Sequence, residues 1–160
     1  MSTLQKAIEI ATHAHAGQFQ KHSAEEPYIA HPLAVMQMVG SMDARIVATL
    51  HDVIEDTDVT VDDLRDAGFS ERVIHAVEIL TRRADESYAD SILRCISDPL
   101  ALEVKLADQE HNSLLSRALI RAESLETDMR RMARRAASHR FLSGTMSREE
   151  FLEIMSRVEN

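Results

Sequence analysis

The 160-residue chain has little of several residue types that mark common protein classes. Its single cysteine, Cys95, cannot form an internal disulfide, which argues against a disulfide-stabilised secreted scaffold and predicts a cytoplasmic protein with Cys95 in the core. Only 4 glycines and 3 prolines leave little material for hairpins or long linkers. No apolar run approaches the ~20 residues that a transmembrane helix needs, so we expect no contact with a membrane.

Charge is abundant but unevenly placed. The net charge of −9 counts against a general nucleic-acid-binding protein. Residues 117–140 nevertheless hold 7 arginines against 3 acidic residues. This arginine-rich segment has three interpretations: a solvated helix face, an RNA-binding surface, or a source of positive charge that leans over an anion-binding site.

The remaining pattern is helical almost throughout. The length suits one domain, 1–160, and apolar spacing predicts an all-α bundle of roughly seven to nine helices without a convincing strand. Gly68 suits a helix end, and Pro32 suits the first turn of a helix that begins just after His31. Helix starts are predicted at Ser2, Thr60, Ser70 and Ser147.

One stretch, residues 17–27, lacks helical periodicity. It contains Lys21 and His22 and leads directly to His31. A loop held between rigid helices is a common place for ligand contacts. We therefore expect ligand contacts from this stretch, with His22 a candidate for contact with a phosphate group.

The most informative run is 51–57, with the sequence HDVIEDT. Read as one continuous helix, it places His51 and Glu55 one turn apart, with Asp52 and Asp56 beside them. Like charges one turn apart destabilise a helix. A divalent metal ion is the simplest group that would offset them, although a solvated acidic helix end explains the run equally well by itself.

A second polar cluster favours the metal interpretation. Asp108 and Asn112 lie one turn apart at the end of an apolar helix, so Asp108 leaves a buried segment much as His51 does. His31, His51, Asp52 and Asp108 together form a ligand set that suits Zn²⁺, Mn²⁺ or Fe²⁺. A coordination position left open for water would support hydrolysis, with Glu55 and Asp56 placed to orient or deprotonate that water.

These motifs resemble those of a known family, the HD-domain phosphohydrolases. The similarity is closest to the alarmone hydrolase domain of Rel/Spo-homologue enzymes and their stand-alone small alarmone hydrolases. It is strongest over residues 3–120, and residues 121–160 are expected to form C-terminal helices. The matching motifs are residues 14–18 (AHAGQ), Lys21, residues 27–32 (PYIAHP), residues 51–57 (HDVIEDT) and residues 105–108 (KLAD) followed by Asn112.

The resemblance implies a manganese-dependent pyrophosphohydrolase. Enzymes of this family remove the 3′-pyrophosphate of guanosine tetra- or pentaphosphate and release pyrophosphate. Synthesis of the alarmone is not expected, since the chain is too short for a synthetase domain as well. The roles carried over are metal ligands at His31, His51, Asp52 and Asp108, a catalytic acidic pair at Glu55 and Asp56, and substrate contacts at Lys21 and Asn112.

Two positions depart from the family pattern. Gln20 stands where the family usually has an arginine that packs on the purine, and Gln109 stands where it usually has arginine or lysine. Base specificity therefore stays open at Gln20: an adenosine analogue or a nucleoside monophosphate is the alternative substrate. A non-catalytic nucleotide sensor or an RNA-associated protein is the alternative from another class. We expect a small nucleotide as the partner and leave self-association open.

Overall fold

The computed structural model describes residues 3–21, 23–118 and 120–159. These residues are mostly helical, which confirms the predicted all-α class. Two single 3-10 turns, Leu115–Arg117 and Ala122–Ser124, precede the longest helix. The elements are α1 (Leu4–Ala14), β1 (Phe19–Gln20), β2 (Ser23–Pro27), α2 (Ala30–Met38), α3 (Met42–Leu50), α4 (Val53–Asp56), α5 (Val61–Asp66), α6 (Glu71–Leu80), α7 (Tyr88–Cys95), α8 (Pro99–Asn112), α9 (Leu125–Leu142) and α10 (Arg148–Val158). Nine α-helices of the described ranges have six or more residues, within the predicted number, and α4 adds one short turn.

Helices α3 and α8 form the centre of the bundle. Helix α3 contacts α1, α2, α6 and α8, and its residues 46–50 are all buried. A helix that is apolar around its whole circumference belongs inside a core. Helix α8 lies against α2, α3, α6, α7 and α9. Side chains at the carboxyl ends of these two helices are therefore held at the centre of the bundle.

The C-terminal helices complete the same bundle. Helix α9 packs on α8, and α10 packs on α9 through stacked rings of Phe141 and Phe151, with 4.6 Å between their centroids. Cys95 is buried in the core, as predicted. Among the described residues, no helix is long and apolar enough to cross a bilayer.

Several helix boundaries follow the predicted capping signals. Gly68 ends α5 with a φ of +84°, a conformation that favours glycine. Helix α1 differs, because the hydroxyl of Thr3 accepts a hydrogen bond from the amide of Lys6 and caps it; Ser2, the predicted cap, lies outside the described residues. The predicted caps that the structure confirms are Thr60, Ser70 and Ser147.

The prediction of no strand is wrong for residues 19–27. Strands β1 and β2 pair antiparallel into a small hairpin with an irregular register. Its polar sequence shows no alternation of apolar and polar residues, since it covers no core. The hairpin is instead fixed at its base, where the amide of Tyr28 donates to the carbonyl of Gln18. His22 lies outside the described residues.

The prediction of one continuous helix across residues 51–57 is also wrong. Helix α3 ends at Leu50, and α4 begins at Val53. The carbonyl of Ala48, which would accept from the amide of Asp52 in a continued helix, accepts a hydrogen bond from Nδ1 of the His51 ring at 2.7 Å. The chain therefore turns at the pair of residues that sequence analysis singled out.

Candidate metal centre and nucleotide cleft

The four predicted metal ligands come together from three helices. His31 is the second residue of α2 rather than the residue before it, His51 and Asp52 follow α3, and Asp108 lies in α8. Nε2 of His31 lies 3.2 Å from Oδ1 of Asp108 and 3.7 Å from Oδ2 of Asp52. Nε2 of His51 lies 3.0 Å from the same Asp52 oxygen and 3.8 Å from the same Asp108 oxygen. We call this group the metal wall.

The metal wall fits a cation in both geometry and electrostatics. One ligand atom each from the buried residues His31, His51 and Asp108 lies within 4.8 Å of the others. Nε2 of His51 is buried and makes no hydrogen bond with the described residues, although carboxylate oxygens are near. Burial is the largest single effect and lowers the pKa of His51, but Asp52, Asp108 and the carbonyl of Ala48 together outweigh it and raise this pKa to about 9. A positive charge is thus favoured at this point.

The ring of His51 also has the orientation that a ligand histidine requires. Its Nδ1 donates to the carbonyl of Ala48, which leaves Nε2 to face the carboxylates. Histidines that bind metals usually donate their other ring nitrogen in this way, since the contact fixes both the tautomer and the ring. The break between α3 and α4 therefore orients His51 as a candidate ligand.

His31 is oriented by a residue that sequence analysis underestimated. Its Nδ1 lies 2.8 Å from Nδ1 of His111, and the two rings stack with centroids 5.0 Å apart. Burial, with a contribution from the charge of Arg117, lowers the pKa of His111 to about 4. The neutral ring can accept a hydrogen bond from His31. The place of His111 beside Asp108 in the helix predicts a ring turned away from the site, and only the packing of α8 against α2 reveals the contact.

Asp108 is held by two neighbours on its own helix. The ammonium group of Lys105 lies 3.0 Å from Oδ2, and the amide of Asn112 donates to Oδ1. Burial is the largest single effect and raises the pKa of Asp108, but Lys105, His31 and His51 together overcome it and hold that pKa well below its usual range. Asn112 was predicted to contact the nucleoside. Its side chain hydrogen-bonds to Asp108 of the metal wall and also lines the cleft.

Tyr28 is the second site residue to which sequence analysis assigned no role. Its hydroxyl lies 2.6 Å from Oδ2 of Asp52 and 3.2 Å from Oδ2 of Asp56. Burial and the charge of Asp52 raise the pKa of the phenol, so it remains a donor. The ring of His15 packs against it. Its position within the PYIAHP motif, three residues before His31, was the available signal.

The predicted acidic pair divides between two places. Asp56 reaches the metal wall through the hydroxyl of Tyr28. Glu55 is turned the other way: its Oε2 accepts from the backbone amide of Arg82, and its side chain lines a cavity that Asp108 also lines. Both carboxylates are exposed, so both are open to solvent beside the site.

A cleft of about 200 Å³ opens in front of the metal wall. Lys21 and the buried Gln20 line it from the hairpin, and an adjoining cavity of about 280 Å³ is lined by Lys21, Lys105 and Glu55. The same cleft is lined by three arginines from the arginine-rich segment, Arg117, Arg131 and Arg135, which we call the cationic wall. Of the three interpretations of that segment, the structure supports positive charge placed over an anion-binding site.

Comparison with curated proteins gives relatives named as guanosine-3′,5′-bis(diphosphate) 3′-pyrophosphohydrolases and relatives named as GTP pyrophosphokinases. The chain is 35% identical over 121 residues to a guanosine-3′,5′-bis(diphosphate) 3′-pyrophosphohydrolase of Aquifex aeolicus, which covers 68% of this chain. It is 33% identical over 124 residues to the bifunctional (p)ppGpp synthase/hydrolase SpoT of Escherichia coli, again over 68% of this chain. The chain spans 17% of the length of each relative. No family model matches it.

A solved structure of a metazoan SpoT orthologue that hydrolyses ppGpp has the same fold. Its TM-score is 0.65 at 20% identity, with 98% of this chain and 96% of that chain covered. This chain is a Rel/Spo-type HD domain. The name HD refers to the adjacent histidine and aspartate, here His51 and Asp52, and a buried group of this HD domain is able to hold a metal ion.

Proposed function

We propose that this HD domain hydrolyses the 3′-pyrophosphate of guanosine 3′,5′-bis(diphosphate)-type alarmones with a bound divalent metal ion. The observation that carries the proposal is the convergence of two histidines and two aspartates on one point beside a cation-lined cleft. Several relatives are named as guanosine-3′,5′-bis(diphosphate) 3′-pyrophosphohydrolases, which supports the substrate class.

The donor set of the metal wall defines the candidate ions. His31, His51, Asp52 and Asp108 offer two nitrogens and carboxylate oxygens, which suit Mn²⁺, Fe²⁺ and Zn²⁺. We propose Mn²⁺, in keeping with the family that the sequence resembles. When bound, such an ion would polarise a phosphoryl oxygen and lower the pKa of water.

The surrounding residues have roles that their positions support. Glu55 and Asp56 are open to solvent and would accept the proton of the attacking water. Water attacks the phosphorus bound to the 3′ oxygen; that P–O bond breaks, and the 3′ oxygen leaves with a proton. Lys21 and the cationic wall balance the charge of the phosphates, while Asn112 and Gln20 line the nucleoside side of the cleft.

We also propose that the whole chain forms one HD domain. The C-terminal helices support this, because α9 packs on α8 and carries two arginines of the cleft, and α10 packs on α9. A cytoplasmic location remains a prediction, as does the expectation that nucleic acid is not a partner.

Product analysis tests the proposed function. The purified chain is incubated with Mn²⁺ and guanosine 3′,5′-bis(diphosphate) in ¹⁸O-labelled water, and the products are separated by anion exchange. We expect GDP and pyrophosphate, with the label in the pyrophosphate. Release of orthophosphate, label in the nucleoside, or no turnover in the presence of Mn²⁺, Fe²⁺ or Zn²⁺ would contradict the proposal.

The adenosine analogue belongs in the same experiment because of Gln20. Parallel assays with guanosine and adenosine 3′,5′-bis(diphosphates) give the ratio of their kcat/KM values. We propose that guanosine is preferred. An equal or inverted ratio would assign the chain to the alternative substrate class while leaving the hydrolytic chemistry in place.

A further inference from the structure

Arg117 joins the cleft through an unusual contact. It ends the 3-10 turn Leu115–Arg117, and its Nη2 donates to Oε1 of Gln20 at 2.9 Å. Gln20 is 5% exposed, and its own amide donates to the carbonyl of Tyr28 at 2.9 Å. Both ends of the Gln20 side chain are therefore used, and the guanidinium is tied to the hairpin across 97 residues of sequence.

The charge of Arg117 lacks a close counterion. Among the described residues it makes no ion pair within 4 Å, whereas Arg121 and Arg131 both pair with Asp128. Burial lowers the pKa of Arg117 against weaker opposing effects of Glu26, Tyr28 and Asp108. Its Nε is buried and has no hydrogen-bond partner within the described ranges. Partly buried cations are costly unless an anion compensates them.

We propose that Arg117 binds a phosphate group of the nucleotide other than the one that is cleaved, the 5′-phosphate, and that Gln20 positions it. The inference rests on the proposed function, since the cleaved group must lie at the metal wall. Arg117 and the metal wall line the same cleft, so one nucleotide can reach both. Glutamine at position 20 then serves as a neutral acceptor that holds the cation without neutralising it.

Substrates with and without the 5′-phosphates separate this role from a structural one. KM and kcat are measured for Arg117→Gln with guanosine 3′,5′-bis(diphosphate) and with guanosine 3′-diphosphate. We expect KM for the first substrate to rise about ten- to a hundredfold, the usual loss for a hydrogen bond to a charged group. KM for the second substrate and both kcat values should change less than about threefold. Arg117→Lys should regain part of the loss, because it keeps the charge.

A double-mutant cycle tests the positioning role of Gln20. Gln20→Ala should raise KM for the 5′-phosphorylated substrate less than Arg117→Gln does. The double variant should match Arg117→Gln alone, because Gln20 acts through the arginine. Arg130→Gln on the same arginine-rich segment, whose side chain pairs with Glu126, is the matched control and should leave both constants unchanged.

Binding of GDP and of guanosine, measured by calorimetry, keeps the inference testable without turnover. Arg117→Gln should weaken GDP binding and leave guanosine binding unchanged. Equal losses for both ligands, or no loss for GDP, would overturn the inference while wild-type pyrophosphate release upholds the proposed function. A wild-type chain that binds GDP but releases no pyrophosphate would overturn the proposed function alone, and one that binds neither ligand would overturn both.

Discussion

The two walls of the cleft are built differently. The metal wall rises from α2, α3 and α8 in the buried centre, and each of its histidines is fixed by a hydrogen bond on the side away from the ligand atoms. The cationic wall comes from the 3-10 turn at Leu115–Arg117 and from α9, a segment that also exposes Leu115 to 88%. The core thus dictates the position of the metal wall, and peripheral contacts dictate that of the cationic wall.

The counterions differ in the same way. The carboxylates of the metal wall have cationic or imidazole neighbours in the core, such as Lys105 beside Asp108. Of the three arginines of the cationic wall, Arg131 pairs with the fully buried Asp128, while Arg117 and Arg135 make no ion pair with the described residues. This difference separates two tasks: chemistry at the metal wall and recognition of an anionic substrate at the cationic wall. Substitutions in the metal wall should therefore change kcat and metal binding, and substitutions in the cationic wall should change KM.

Removal of one histidine of the metal wall should have the largest effect. His51→Ala is expected to abolish stoichiometric metal binding and to lower kcat/KM by at least about a thousandfold, because the ion and its effect on water are lost together. Metal analysis of the purified protein and steady-state kinetics measure the two effects. His75→Ala, an exposed histidine of α6, is the matched control. A fully active His51→Ala protein would show that the metal wall is not the reaction centre.

The next effect concerns the acidic pair. Glu55→Gln should retain the metal but lose about a hundred- to ten-thousandfold in kcat, the range for a removed general base. Its contact with the Arg82 amide can persist, since the Gln side chain keeps an acceptor oxygen. Glu9→Gln, an exposed glutamate in α1, should be silent. Unchanged kcat in Glu55→Gln and a large loss in Asp56→Asn would move the proton-accepting role to Asp56.

Substitution of an arginine of the cationic wall should raise KM. Arg135→Gln removes a guanidinium whose Nη1 donates to the carbonyl of Asn112 and whose pKa is lowered by burial. We expect KM to rise about ten- to a hundredfold with little change in kcat. Initial rates over a range of substrate concentrations, with Arg130→Gln alongside, measure this. A loss confined to kcat would contradict the division between the two walls.

The smallest of these effects is expected at the hydroxyl of Tyr28. Tyr28→Phe keeps the ring that packs on His15 but removes the donor shared by Asp52 and Asp56. Metal affinity should fall about tenfold, as is common when a partner of a ligand carboxylate is removed. Competition with a chelator gives the affinity. An unchanged value would mean that Asp52 is held by the backbone turn alone.

Sequence patterns predicted the parts of this protein that local chemistry determines. Caps such as Thr60 and Ser147, and the glycine at position 68, act within a few residues, so their effects are readable from sequence. The candidate ligands His31, His51, Asp52 and Asp108 were predicted from clustered polar residues and from the family resemblance, and the structure brings their side chains together.

The parts that were missed depend on contacts between distant segments. The helix break at His51 comes from a ring-to-carbonyl hydrogen bond, and the hairpin comes from pairing between polar strands without a periodic signal. His111 meets His31 only because α8 crosses α2, and Arg117 meets Gln20 across the cleft. A single sequence holds no signal for such pairs.

A titration with Mn²⁺ followed by electron paramagnetic resonance tests the central assignment most directly. The account predicts one bound ion per wild-type chain, with nitrogen couplings from two imidazoles, and the loss of that ion in His51→Ala but not in His75→Ala. Binding of the same ion, with the same nitrogen couplings, to His51→Ala would contradict it.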